Sequence, residues 1–384
     1  MRHVGAIAIV ALAYLGSAAA RCDAMPVFAQ AYGYDCQKCH IQVPALNSYG
    51  RYVQRTMYAF LDRKTLATVS PVWVGWSPSF DSQDPSESHR TQFGNLAAHL
   101  AGFISPDVTT HIQQWLVQHD QPGGVDTAWI SYDRIFGPGT HLAVGKMPPA
   151  GPSFFSQWMD LAPFAVPGAT VGEHAQALAS NRWGAKLGWS NAYVAADAGW
   201  FGAQTDLNGA TDFSNDTDKS LQWHVAYAPF DRPLQVGLYG NTGTFPLSLG
   251  GTDRYAATGL YAQIDQTAHA PGLLAIYQRG WDANAGTGSA PGGAPAAMPL
   301  GAAASDGATL EVFYQPLRHY EALVSARREI TDDGLGHAVQ TSNIDLNLRL
   351  ARFVHATLEH YSQSQGRPGW RYQVWWTTPL ERSP

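Results

Sequence analysis

The chain has 384 residues and a formal net charge of −6; 14% of its residues are charged, 12% are aromatic and 38 are glycine. An acidic balance without any basic stripe excludes nucleic acid as the partner. Ordinary soluble domains carry about 25% charged residues, so this composition narrows the class to a secreted β protein or an outer-membrane barrel.

In chain order, the first element is an export signal over residues 1–24. Arg2 and His3 precede VGAIAIVALAYLGSAAA, a run too short and wrongly flanked for a spanning helix. Cleavage fits after Ala20 or Ala24. Ala24 is preferred, because losing Cys22 leaves Cys36 and Cys39 as one pair with no stray thiol in an oxidising compartment. Beyond the signal no apolar run approaches the ~20 residues of a transmembrane helix. A membrane crossing by this chain therefore takes the form of a closed barrel.

Residues 25–60 form the next unit. Cys36, Cys39 and His40 make C-x-x-C-H. Two thiols at this spacing each add across one vinyl group of a haem, and the adjacent imidazole becomes the axial ligand of the iron. A zinc site needs a second pair of ligands at matched spacing, and a thioredoxin-like site needs a βαβ context. Neither is present, which leaves covalent haem c, one per chain, ahead of a structural disulfide. The sixth iron ligand stays open: Met57 is a candidate one short helix away, Met25 and several histidines are alternatives, and an open position is another. A lone Met at helical spacing is more often packing than ligand.

The run MPVFAQAYGYDCQKCHIQVPALNSYGRYV resembles the N-terminal haem segment of the fused cytochrome c–porin family, monohaem outer-membrane cytochromes associated with iron oxidation. Besides the haem motif, the matching positions are Met25, Pro26, Phe28, Ala29, Gly33, Pro44, Leu46, Tyr49, Gly50 and Arg51. Val43 stands where an aromatic residue is commoner, and Tyr52-Val53-Gln54 where a basic residue often follows. The resemblance ends near Val53. It implies a porin that shields and positions one haem, so that electrons cross the membrane.

After a linker at 61–70, residues 71–384 break into short segments with period-2 alternation, the strand signal. In NIDLNLRL, Ile344, Leu346, Leu348 and Leu350 oppose Asp345, Asn347 and Arg349; LQWHVAYA and PLQVGLYG repeat the pattern. Strands are expected near 71–80, 92–103, 108–119, 127–136, 140–147, 180–189, 192–202, 220–229, 233–242, 253–265, 271–281, 308–316, 319–330, 340–350, 354–363 and 370–377. A strand at 168–179 would break the even count. Tight turns such as SPDV, FGPG and FDRP alternate with long connections, which is the outer-membrane rule of short periplasmic turns and longer outer loops. The expected fold is all-β: a ~16-stranded transmembrane barrel with a short helical c-type haem plug at its N-terminus. The tryptophans, Trp73 and Trp129 among them, are expected in the interfacial girdles.

The expected outer loops concentrate carboxylates, densest at Asp206, Asp212, Asp216 and Asp218, and also include Asp81, Asp126, Asp282, Asp306 and Asp332. Such a field draws small cations to the barrel mouth, although solubility alone also accounts for surface carboxylates. Arg134, Lys146, Arg182, Arg327 and Arg371 are expected within strands, some facing the lumen, because Arg facing lipid at mid-membrane costs about 2–4 kcal/mol.

The reading is an exported protein of the bacterial outer membrane, in contact with its lipid. One covalent haem c lies on the periplasmic side or in the lumen and passes electrons from extracellular Fe(II), or another reductant, to a periplasmic carrier. As an enzyme it would be an Fe(II)-oxidising cytochrome. The alternatives are outward electron transfer and a diffusion porin whose haem peptide is a plug or sensor.

Overall fold

The computed structural model of the chain describes residues 26–34, 36–83, 91–153, 161, 164–175, 181–202, 219–247, 250–289, 297–299, 301–317, 322–351, 354–364 and 366–379. Sixteen antiparallel strands close into one barrel. They are β1 (Val72–Asp81), β2 (Gln92–Ser105), β3 (Val108–Gln118), β4 (Val125–Asp133), β5 (Thr140–Met147), β6 (Arg182–Ser190), β7 (Val194–Phe201) and β8 (Lys219–Tyr227). The second half comprises β9 (Leu234–Pro246), β10 (Thr252–Ile264), β11 (Gly272–Asp282), β12 (Ala303–Leu317), β13 (Ala322–Asp332), β14 (Ala338–Ala351), β15 (Val354–Gln363) and β16 (Gly369–Pro379). A two-residue piece, Gln121–Pro122, adds to the end of β3. The ring closes between the start of β1 and the end of β16, with Trp73 opposite Pro379.

The wall is turned inside out relative to a soluble core. On β14, Ile344 is 57% exposed and its neighbour Asp345 is 0% exposed. The same parity runs along β8, where Leu221 and Val225 face out while Gln222 and His224 face in. It recurs on β13, with Val324 and Ile330 out and Ser325, Arg327 and Glu329 in. In water an apolar outer band of this kind would be costly; in hydrocarbon it is the favoured surface, and the closed ladder leaves no strand edge unpaired. This inversion separates a membrane barrel from a soluble sandwich, which has the same alternation with the opposite contents.

Strand positions follow the sequence reading within a few residues, with instructive departures. Arg134 lies outside β4, at φ +64° in the turn to β5, and pairs loosely with Asp107. The strand β12 starts at Ala303, so Asp306 belongs to it; Asp81, Asp126, Asp282 and Asp332 likewise lie in strands. Among the described residues of 168–179 a tiny hairpin forms, Thr170–Val171 with His174–Ala175, outside the barrel ladder, and the described barrel strands stay even in number. Trp73 and Trp129 point inward and are buried, whereas Trp200, Trp281 and Trp376 face outward as a girdle does. Period-2 parity decides this: a girdle residue needs the outward phase as well as a strand end.

Among the described residues, two pieces of chain pack against the inner face of the wall. Between β5 and β6 the connection folds inward. The amides of Ala165 and Val166 donate to the Glu329 carboxylate at 3.1 and 3.3 Å. Gln278 Nε2 donates to the Val166 carbonyl at 2.9 Å. Phe164 and Val166 pack with Tyr239, Tyr261, Leu274 and Ile276 from the facing wall, and the Arg327 guanidinium stacks on Phe164 at 4.3 Å. The second piece is the N-terminal segment, α1 (Pro26–Tyr32), α2 (Ser48–Arg55) and α3 (Arg63–Leu66), which stops the barrel at the rim of short turns. Among the described residues no helix is long and apolar enough to cross a membrane.

Candidate functional site: a plug built around Cys39 and His40

The plug starts with α1, whose Val27, Phe28 and Ala29 are buried, and turns at Gly33, where φ is +61°. A single 3-10 turn, Cys36–Lys38, follows. It leads into a short hairpin of His40–Gln42 against Ala45–Leu46, bent through a cis Val43–Pro44 peptide. The backbone of Cys39 is clamped by what comes next. Asn47 N donates to the Cys39 carbonyl at 2.9 Å, and Asn47 Nδ2 donates to the Gln37 and Lys38 carbonyls at 3.0 and 3.2 Å. The same Asn47 caps α2 by accepting from Gly50 N at 2.9 Å, satisfying one of the orphan amides of a helix start. A Cβ at Gly50 would overlap the Cys39 carbonyl oxygen, so only glycine lets α2 cross the haem-motif turn this closely.

His40 is buried, with Nδ1 3.0 Å from the Pro44 carbonyl oxygen. An Nδ1–H donated to a carbonyl fixes the tautomer and leaves Nε2 carrying the lone pair, the arrangement in which an imidazole binds a metal. Burial pushes the His40 imidazole down to about 4, so it is neutral at ordinary pH. Cys39 is half-buried and forms no disulfide among the described residues; burial pushes its thiol up to about 11. A neutral thiol beside a neutral, oriented imidazole suits a thioether link plus an axial nitrogen. Cys36 and Cys39 would hold the haem and His40 would ligate its iron, and the donor set fits that group. Among the described residues no cluster of three or more His, Cys, Asp or Glu stands ready for a free metal ion.

Sequence reasoning named the motif and missed what docks it. Arg51 makes a two-pronged ion pair with Asp265 at 3.0 and 2.8 Å, both side chains 5% exposed, and also donates to the Leu46 carbonyl at 2.8 Å. Arg55 reaches Ser190 Oγ at 2.8 Å and the Ala228 and Asn191 carbonyls at 2.6 and 2.9 Å. Gln42 Nε2 donates to the Asn347 carbonyl at 3.0 Å, and Ala45 packs on Phe313 and Leu323. Asp265, Asn191 and Ala228 all lie at short turns between strands, which fixes the plug at that rim. Arg51 and Arg55 were visible as the two basic residues of α2; the partner of Arg51, 214 residues away, was not.

Met57 is buried in an apolar cluster with Val53, Tyr58, Trp73, Trp129 and Met147. Beside it, the Tyr58 hydroxyl contacts His111 Nδ1 at 3.3 Å and Trp73 stacks on His99 at 4.9 Å. Met25, Asp206, Asp212, Asp216 and Asp218 lie outside the described residues. Part of the expected loop charge is in the wall: Asp81 pairs with Arg371 at 2.6 Å, and Asp282 is fully buried.

No family model matches this sequence, and no curated protein does. Solved structures similar in fold are porins. OmpT of Vibrio cholerae, in its trimer form, has a TM-score of 0.57 at 9% identity, over 80% of this chain and 98% of that one. An anion-selective porin from Comamonas acidovorans has 0.54 at 12%, over 80% and 98%. OmpF of Salmonella typhi, in complex with daunomycin, has 0.53 at 10%, over 80% and 97%. At these identities the likeness establishes the porin-type barrel and nothing finer.

Proposed function

We propose that this chain is an outer-membrane electron conduit: a porin-type barrel stopped at its periplasmic rim by a plug that carries one haem c. The observation that carries the reading is the pairing of a buried His40, its Nδ1 on the Pro44 carbonyl, with a plug fastened to the barrel by the buried Arg51–Asp265 pair. A peptide this short cannot bury a haem alone, since chains below about 40 residues usually need outside support; here the barrel supplies the walls. Short turns face the periplasm in such barrels, which puts Cys36, Cys39 and His40 within reach of a periplasmic carrier. The haem supplies a one-electron carrier. The chain's own residues anchor it, orient its axial imidazole and exclude water from it. Fe(II) or another extracellular reductant gives up one electron and leaves as Fe(III), and the periplasmic carrier is reduced by one electron. Asp206, Asp212, Asp216 and Asp218 belong to the sequence between β7 and β8, and carboxylates carried there would raise the local cation concentration on the conduit reading.

A diffusion porin with a haem plug is the second reading, favoured by the porin-type barrel itself. The deciding experiment is a haem-staining denaturing gel with an alkaline pyridine spectrum of purified protein. The conduit reading expects one covalent haem per chain, lost in Cys36→Ser/Cys39→Ser. A folded barrel without haem would leave only the diffusion porin.

A further inference from the structure

We propose that His355, on the barrel wall, is the second axial ligand of the haem iron, so that the iron joins the plug to β15. This rests on the haem reading above. The argument begins with where His40 touches the wall. Two residues beyond it, Gln42 donates to the Asn347 carbonyl on β14. Asn347 pairs across the ladder with Thr357, and the next inward pair towards the short-turn rim is Arg349 with His355. Phase agrees: Thr357 and Glu359 are buried against the lumen while Leu358 is exposed to lipid, so His355 shares the inward face with them. The wall position that faces the root of the plug's haem motif is thus a histidine, within electrostatic range of the His40 imidazole.

The second observation is independent of that placement. His355 Nδ1 is covered from solvent, yet among the described residues it has no hydrogen-bond partner. An imidazole nitrogen held in that way costs about 1–3 kcal/mol unless something takes its lone pair. A nitrogen donor on a rigid strand, facing the side of the lumen where the plug's His40 sits, is what a sixth coordination position requires. Other histidines fit less well: His224 is engaged by Asp197 and Tyr261, and His99 and His111 lie in the aromatic cluster around Trp73 and Tyr58. A strand-borne ligand also gives the plug a reason to be seated by directional side-chain bonds, since a shift of the plug would break coordination.

The test is the electron paramagnetic resonance spectrum of the oxidised, full-length protein in detergent, for wild type, His355→Ala, His355→Gln and Met57→Leu. Barrel assembly is checked in each by its heat-modifiable migration on a gel. The expected result is a low-spin ferric signal of two axial imidazoles in wild type and in Met57→Leu. Both His355 variants should lose it in favour of a high-spin signal, and added imidazole should restore it in His355→Ala. A low-spin signal that persists in the assembled His355 variants, or one lost in Met57→Leu, overturns the proposal. Wild type with no haem overturns the conduit reading on which it rests, and the two failures are told apart by the wild-type spectrum alone.

Discussion

The two pieces of chain that pack against the inner face of this barrel are held by opposite chemistry. The inward loop between β5 and β6 is held mainly through its backbone: amides of Ala165 and Val166 on Glu329, the Val166 carbonyl on Gln278, and an apolar pad. The plug is held through its side chains: Arg51 on Asp265, Arg55 on Ser190, Gln42 on Asn347, Tyr58 on His111. A backbone-held segment tolerates changes of residue and still narrows a pore. A side-chain-held segment fixes atoms at defined positions, which a pore has no need of and a redox site does. On the conduit reading, the loop serves as wall and the plug as the part that holds the haem.

The comparison can be broken at several places. The largest effect is expected at the motif: His40→Ala should abolish the low-spin haem spectrum, and the double cysteine variant should abolish haem staining, with the barrel still assembling. Next, Arg51→Ala takes the counter-ion from the buried Asp265 carboxylate and leaves it only the Gln263 amide donor, a loss of about 3–5 kcal/mol. Limited proteolysis should then cut the plug near α2 while the strands stay protected; an uncut plug would show that its apolar contacts suffice. Glu329→Ala removes the acceptor for the loop's amides and should cost about 1–3 kcal/mol. Planar-bilayer recordings should show added conductance fluctuations with haem content unchanged, and a loss of haem would show that the two regions are not independent. The smallest effect is at the long-loop rim. Partial burial raises the Asp333 carboxyl, but hydrogen bonds from His337 and from the Leu335 and His337 amides outweigh it and hold the group below the usual range. A depressed carboxylate stabilises above its unfolded value and loses that stabilisation as pH falls through its folded value. Hydrogen exchange at 333–337 should therefore speed up in acid, and Asp333→Asn should remove the pH dependence.

The wall was legible because lipid and lumen impose a strict period of two, so NIDLNLRL announces its faces without any knowledge of its neighbours. Boundaries slipped where the rule is silent: β12 begins at Ala303 inside a low-complexity stretch, and Trp73 and Trp129 read as girdle because position along a strand is visible whereas phase at its end is not. In the plug, the motif named Cys36, Cys39 and His40, and the residues around it now have physical reasons. Pro44 supplies the carbonyl for His40, Gly50 the close crossing, and Arg51 the weld. What no local pattern could give was the other half of each contact. Asp265, Asn347 and His355 lie hundreds of residues along, and only closure of the barrel brings them to the plug.

The central claim is tested most directly in vesicles carrying the purified protein, with a membrane-impermeant electron acceptor inside and Fe(II) outside. The account predicts that the acceptor is reduced in proportion to the protein present. Sugar flux should stay at background, and the reduction should vanish in His40→Ala. Free sugar flux through wild type with no reduction of the enclosed acceptor would contradict it and leave a diffusion porin.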